Sequence, residues 1–428
     1  MRVLVVGSGG REHVVAWRLK GDADSYNLHA APGNPGIGLL GSCHPVRAVD
    51  IPALVHLADH LHPDLTVVGP EAPLAGGIVD AFRARGHRIF GPTQQAARLE
   101  SSKIFAKHLM VRAGVPTPPF EVFDQAGAAV EYIRRARRPL VVKADGLAAG
   151  KGVVVADTPD AAVQAVTDLM TRRVHGCAGD RILVEERLYG REVSLLALVH
   201  GTRVWPLLPA QDYKRAHDGD AGPNTGGMGA IAPAPVEGAL AQQIVDRILE
   251  PTAAAMVAAG HPYTGVLYAG IMVTAEGPQV LEFNCRFGDP EAQVMLPLMD
   301  GDLARGLVDA LDGRTPDLGW SGGAAVCVVV AAAGYPGPPA TGHRIEGLDR
   351  VPPDVCVFHA GTAVRDGALV TAGGRVLNVV GLGRDLPAAR DRAYAGVAAV
   401  SFEGMQFRRD IGVGAAGGPP ARTAERVR

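Results

Sequence analysis

Two segments hold residues suited to moving a phosphoryl group. In Leu281-Glu282-Phe283-Asn284-Cys285-Arg286, polar and apolar side chains alternate, so on a strand Glu282, Asn284 and Arg286 share one face. Three polar groups on one face are costly in a plain core. Glu282 and Asn284 both offer oxygen, the donor that Mg²⁺ takes, with phosphate oxygens completing its shell. Arg286 suits the charge of a transferring phosphoryl group. A solvent-facing edge strand would show the same alternation. The second segment runs from Lys143 through Gly146, Gly150, Lys151 and Gly152, between the apolar runs Leu140–Val142 and Val153–Val155. A small, basic, glycine-rich loop joining two strands can fold over a polyphosphate. It is no Walker A loop, because no Ser or Thr follows Lys151 and no helix opens there. A plain flexible hairpin explains the glycines but not a lysine at the strand end.

Three further stretches carry weaker signals. Val184 to Glu192 can offer backbone groups to an adenine edge, with Glu192 on ribose hydroxyls, although a solvated charge cluster reads the same way. Gln211 to Arg215 and Gly222 to Gly229 form a polar, glycine-rich loop, either substrate-binding or a hinge. Gly7-Ser8-Gly9-Gly10-Arg11-Glu12-His13 resembles a dinucleotide turn, but Glu12 stands where the third glycine belongs. The second strand also lacks an acid for a ribose, which disfavours NAD. A structural glycine turn or an anion site at a helix N-terminus, helped by Arg11, remains.

These residues need a frame. Val3–Val6 is a continuous apolar run, and Leu28–Ala31, Leu65–Val68 and Arg88–Phe90 read as buried strands; each ends in a glycine turn, with helix-like stretches between them. That pattern predicts a parallel sheet with ligands at the strand ends. A break falls near Ser101-Ser102-Lys103. A helix then runs to about Ala113, and the stiff connector Val115–Pro119 follows. A small α/β unit covers 120–186 with strands at Leu140–Lys143, Val153–Ala156 and Ile182–Glu186. A larger unit, with a helix near Gly238–Ala258, reaches Trp320. A mostly-β unit closes the chain near 410, and the Gly-, Ala-, Pro- and Arg-rich tail 412–428 is expected to be disordered.

Composition narrows the classes. The chain has 428 residues, 47% hydrophobic and 20% charged, and can bury several cores without metal or disulfide staples. A net charge of -2 gives no basic field for nucleic acid or anionic membrane. Cys43, Cys177, Cys285, Cys327 and Cys356 are single, which argues against a zinc site and fits a reducing compartment. The N-terminal apolar run reads as a first strand rather than a targeting signal, and no stretch reads as a membrane span.

Taken in order, the motifs resemble the phosphoribosylamine–glycine ligase family of ATP-grasp enzymes, to about Ile411. They are GSGGREH at 7–13, APGN at 31–34, VGPEAPL at 68–74, KADGLAAGKGV at 143–153, QDYKR at 211–215, GPNTGGMG at 222–229, YTGVLYAG at 263–270 and EFNCRFGDPE at 282–291. The resemblance implies an α/β fold: an N-terminal parallel-sheet domain (1–102), a two-part ATP-grasp (103–190 and 191–320) and a small, mostly-β C-terminal domain (321–411). It implies ATP contacts at Lys103, Lys143, Gly146, Gly150, Lys151, Gly152, Glu185, Glu186, Leu188 and Glu192. It implies substrate contacts at Gly9, Gly10, Arg11, Glu12, Glu71, Asp212, Lys214, Asn224, Thr225, Gly226, Gly227 and Asp289. Glu282 and Asn284 would hold Mg²⁺ or Mn²⁺, with Lys143 and Arg286 catalytic.

The implied reaction joins glycine to 5-phosphoribosylamine at the expense of ATP, through glycyl phosphate, in purine synthesis. The expected setting is the cytoplasm, with small-molecule partners only and a monomer, or else a dimer, as the working form. Two positions depart from the family: Ala292 replaces its usual Thr, and Leu298 lies where an Arg is usual. Rival readings are an ATP-grasp enzyme for another acid and amine, and a non-catalytic nucleotide binder. The 7–13, 68–74 and 222–229 motifs argue against the first, and intact Lys143, Glu282, Asn284 and Arg286 against the second.

Overall fold

A computed structural model describes residues 1–22, 26–148, 151–236 and 238–414. The N-terminal unit is a parallel five-stranded sheet, in the order Ser42–Cys43, Asn27–Pro32, Arg2–Gly7, Leu65–Val68, Ile89–Phe90. Val3 and Val5 pack with Val14 and Leu19 of the helix Gly10–Asp22. Leu4 and Val6 face Leu54, Ile78 and Phe82 from helices on the other side. Burial on both faces is why the strand reads as a continuous apolar run.

The strand ends form one rim, and its first turn is tight. Gly7 has φ 128°, and Glu12 folds back so that its carboxylate accepts from the Gly9 N–H at 2.5 Å and from Arg11 Nε at 2.6 Å. A Cβ on Gly69 would lie 2.0 Å from Glu12 Oε1, so only glycine fits beside that carboxylate.

Two antiparallel four-stranded sheets follow. The smaller orders Phe120–Phe123, Ile182–Glu186, Leu140–Ala144, Val153–Ala156 and is covered by the helices Ala126–Ala136 and Pro159–Val166. The larger orders Arg203–Pro206, Arg191–His200, Thr264–Thr274, Gly277–Asn284. It packs against the helices Lys103–Ala113 and Glu250–Ala258. Among the described residues, no helix is long and apolar enough to cross a membrane.

The last sheet orders Gln211–Asp212, Gly229–Ala232, Ala324–Ala331, Arg375–Gly383, Val355–His359, all antiparallel. Its first two strands lie upstream of 320, so it ties the segment bearing Asp212 to the C-terminal unit. The strand-rich expectation for this unit omits the 14-residue helix Leu386–Ala399, capped by Asp385 on the Ala388 N–H. Three of its four buried residues, Ala389, Ala393 and Gly396, are small, so its apolar stripe is faint in sequence. The expected disordered tail falls, from residue 415 on, outside the described residues.

A histidine seam joins the first and last units. His13 accepts from the His359 N–H at 2.7 Å and meets Phe358 edge-on. Burial, with the neighbouring His359, lowers the His13 pKa to about 3, and burial lowers that of His359 to about 4. The unfolded chain takes up both protons near pH 6.5, whereas the folded chain does so only near those lower values. This stability is therefore complete above pH 6.5 and lost as pH falls, by about 1.4 kcal/mol per pH unit per histidine. His13→Gln is expected to melt with a shallower pH slope than the parent between pH 6.5 and about 5. Equal slopes would show that the seam does not titrate.

Candidate active site

The four units meet around one cavity of about 350 Å³. Glu71 comes from the N-terminal rim, Lys103 from the first turn of its helix, and Gly146, Leu147 and Gly152 from the basic loop. Asp212, Lys214 and Asn224–Gly226 come from the glycine-rich loop, Glu282 and Asn284 from the last strand of the larger sheet, and Arg375 from the C-terminal sheet. Among the described residues its wall carries six carboxylates and five lysine or arginine cations. That balance leaves no positive surplus for a triphosphate.

The strand Gly277–Asn284 is not regular. Gly270 pairs with Glu282 and Ile271 with Val280, so Leu281 is an extra residue in the ladder. Val280 and Phe283 therefore both enter the apolar core, while Glu282 and Asn284 both reach the cavity. The expectation that Arg286 shares their strand face needs correction: the strand ends at Asn284, and Arg286 lies in the bend beyond. The Cys285 N–H donates to Glu100 Oε2 at 2.7 Å at that point.

Arg286 still lines the cavity. It pairs with Glu100 at 3.1 Å and Glu71 at 3.4 Å, and donates to Asn284 Oδ1 at 3.2 Å. Burial pushes the Glu100 carboxyl up, against the pull of Arg286. For Glu71 burial also acts upward, but Arg286 and Arg11 outweigh it and its pKa falls. Glu282 follows the same logic. Burial opposes its charge, yet Lys103 at 3.5 Å, with Lys214, Lys143 and Arg286, lowers its pKa to about 2.

The opposite wall is a second polar network. Tyr268 donates to Glu291 Oε1 at 2.9 Å, with Ser194 beside both. Burial raises Asp212 to about 7 against the pull of Lys214, with help from Glu291, Glu192 and Glu282. Lys214 pairs with Glu192 at 2.9 Å, and its backbone carbonyl accepts from Thr225 Oγ1 at 2.8 Å. Arg375 pairs with Asp289 at 2.9 Å and donates to the Gly226 carbonyl at 2.6 Å, so it fixes the glycine-rich loop to the FGDPE segment.

Lys143 stands behind this wall. Its ammonium pairs with Glu185 and donates to the Leu281 carbonyl at 2.9 Å. With Lys103 and Lys107 it borders a small void of about 10 Å³. Gly146 and Gly152 line the main cavity, Lys151 is exposed, and Gly150 lies outside the described residues. Glu186 pairs with Arg138 at 2.5 Å, and Leu188 is half-buried.

Glu185, Glu186, Leu188 and Glu192 do not line the cavity, nor do Gly9, Gly10, Glu12 and Gly227. Glu12 is committed to Gly9 and Arg11. Gly10 is packed so tightly that a Cβ would meet Asn378 at 2.2 Å. Ala292 and Leu298 are buried in an apolar cluster away from the cavity wall.

Residues not named among the expected contacts complete the site: Glu100 and Arg375 lie outside the quoted motifs, Tyr268 and Glu291 lie within them without an assigned role, and Lys107 stands behind the wall. Lys107 had a signal, one helical turn after Lys103. Arg375 had none, because its partners lie in a different unit.

Among the described residues no three His, Cys, Asp or Glu side chains cluster as a metal cage. Glu282 and Asn284 nevertheless fit a hard divalent cation. Both are oxygen donors, and the Glu282 carboxylate stays ionised. Incoming phosphates would supply the remaining oxygens.

Comparison with known proteins gives a consistent result. The chain matches the phosphoribosylglycinamide synthetase N domain over residues 1–100, its ATP-grasp (A) domain over 101–292 and its C domain over 325–414. It is 49% identical over 425 residues to the phosphoribosylamine–glycine ligase of Streptomyces coelicolor, covering 97% of this chain and 100% of that protein. It is 46% identical over 413 residues to that of Halalkalibacterium halodurans, covering 96% of each. The crystal structure of the Thermotoga maritima phosphoribosylamine–glycine ligase superposes with TM-score 0.84 at 34% identity, covering 96% of this chain and 100% of that one. A biotin carboxylase from Campylobacter jejuni shares the fold at TM-score 0.74 and 13% identity, covering 95% and 92%.

Proposed function

This chain belongs to the phosphoribosylglycinamide synthetase family, and on that premise we propose how its cavity carries the reaction. The chain is an ATP-dependent ligase of purine biosynthesis that joins glycine to 5-phosphoribosylamine, giving glycinamide ribonucleotide, ADP and phosphate. The observation that carries the mechanism is the convergence of Lys103, Glu282, Asn284 and Arg286 on one cavity that Gly146, Leu147 and Gly152 of the basic loop also line.

ATP lies with its phosphates toward Lys103, Lys143 and the loop at Gly146 to Gly152. Its adenine meets the backbone at Glu185 to Leu188, and Glu192 exchanges its Lys214 partner for ribose hydroxyls. Glu282 and Asn284 hold Mg²⁺ or Mn²⁺, which supplies the positive charge that the balanced wall lacks. Phosphoribosylamine and glycine occupy the side walled by Arg11, Glu71, Asp212, Lys214, Asn224 to Gly226 and Asp289. A glycine carboxylate oxygen attacks the γ-phosphorus, forming glycyl phosphate and releasing ADP. Arg286 and Lys143 offset charge on the oxygens. The amine of phosphoribosylamine then attacks the acyl carbon, forms the amide, and expels phosphate and a proton. A closed loop keeps water from the acyl phosphate. No protein nucleophile is required.

One chain supplies every wall, so we take the monomer as the working unit. Five free cysteines fit a reducing, cytoplasmic setting. ADP release is expected to need a divalent cation, glycine and freshly prepared phosphoribosylamine together. Turnover with another amino acid and none with glycine would overturn the substrate assignment. Nucleotide binding without ADP release under any of these conditions would favour the non-catalytic reading.

A further inference from the structure

Behind the cavity lies a buried charge cluster that the reaction scheme does not use in full. Lys107 and Glu185 are each 2% exposed and pair at 2.6 Å, while Lys143, 4% exposed, pairs with the same carboxylate. Lys107 also donates to Thr117 Oγ1 at 2.6 Å, and Thr117 donates to the Val280 carbonyl at 3.1 Å. Lys143 donates to the next carbonyl, Leu281, at 2.9 Å. The two lysines thus join one carboxylate of the smaller sheet to the bulge that aims Glu282 and Asn284.

Two ammoniums on one buried carboxylate leave one positive charge in surplus. Such a surplus is costly unless a second anion arrives. We propose that Lys107 is a positioning residue for nucleotide binding: it stays on Glu185 as counter-ion, which frees Lys143 to turn to a phosphate. The proposal rests on the reading that Lys143 contacts ATP. Without Lys107, that turn would strand the Glu185 carboxylate in the interior, so Lys143 would remain on Glu185 and the phosphate would lose its partner. Electrostatics agree with the division of labour. Burial lowers the Lys107 pKa to about 8, Glu185 pulls it upward, and Lys143 and Lys103 push it down. Movement of Lys143 toward an anion removes one of those repulsions and secures the charge on Lys107.

The test is calorimetric titration of a non-hydrolysable ATP analogue with Mg²⁺, alongside steady-state KM values for ATP and glycine. Lys107→Met is expected to weaken analogue binding and raise the ATP KM on the order of 100-fold, with the glycine KM little changed. Lys107→Arg should stay within a few-fold of the parent. Lys107→Met combined with Glu185→Gln should bind within about tenfold of the parent, because no carboxylate is left to strand. The double variant decides the matter if Lys107→Met alone does not fold. Binding by the double variant as weak as that of a Lys143→Met variant would overturn the proposal. So would normal binding by Lys107→Met beside weak binding by Lys143→Met, which leaves the nucleotide site itself intact. Normal binding by Lys143→Met would instead remove the reading on which the proposal stands, and the proposal with it.

Discussion

Glu282→Ala and Asn284→Ala are each expected to lower ADP release on the order of 100-fold or more, about 3 kcal/mol of lost charge stabilisation. The bulge at Leu281 brings both side chains to the cavity, so one cation can reach both. The wall already holds as many carboxylates as it can neutralise, and phosphate binding there depends on added positive charge. Removing either oxygen loosens the cation and the phosphates together. The two variants should differ in stability. Glu282 faces Lys103, Lys214, Lys143 and Arg286, and its pKa falls to about 2. A carboxylate depressed below the ordinary value contributes stability that is present above the unfolded pKa of 4.5 and lost as pH falls through about 2. Glu282→Ala should therefore melt somewhat lower than the parent at neutral pH, and Asn284→Ala less so. ADP release across a Mg²⁺ titration, with thermal melts, is the measurement. Near-normal turnover by both variants at low Mg²⁺ would mean that the metal binds elsewhere.

Arg286→Met is expected to cost the most stability of any single change at the site, about 3–5 kcal/mol, with turnover lost as well. Met matches the arginine stem in bulk, so packing is largely kept. What disappears is the cation shared by Glu71 and Glu100 at 3.4 and 3.1 Å. Glu100 is already pushed up by burial while Arg286 is present. Without the arginine its pKa rises further, and the folded state takes up a proton that the unfolded state does not. The gap in stability between parent and variant should therefore be widest near neutral pH and narrow as pH falls. Melts of both proteins at several pH values test this. A constant gap, or a variant as stable as the parent at pH 7, would show that the buried acids do not depend on Arg286.

Much of this molecule was legible in its sequence because the relevant signals are local. Val3 to Val6 is apolar at every position, which only a strand covered on both faces requires. The runs that follow end in glycine, which sets their loops at one rim of a parallel sheet. Alternation at Glu282 and Asn284 assigned both oxygens to one face, and the ordered motifs identified the family. Side-chain period and turn chemistry span only a few residues, so neighbours in sequence suffice to read them.

Counter-ions and cavities are made across the fold, and these only the tertiary structure decided. Nothing near Arg286 announces that Glu71 and Glu100 will hold it, or that the strand stops two residues earlier. Arg375 reaches Asp289 because the strands bearing Gly229 and Val328 pair in one sheet. Leu298 lies close in sequence to the FGDPE segment, yet its side chain enters the apolar core. Lys107 and Lys143 are alike as residues, and their shared hold on Glu185 follows from a helix and two strands meeting in space. A buried charge is tolerable only beside a partner, and distance along the chain does not determine which groups become partners once it is folded.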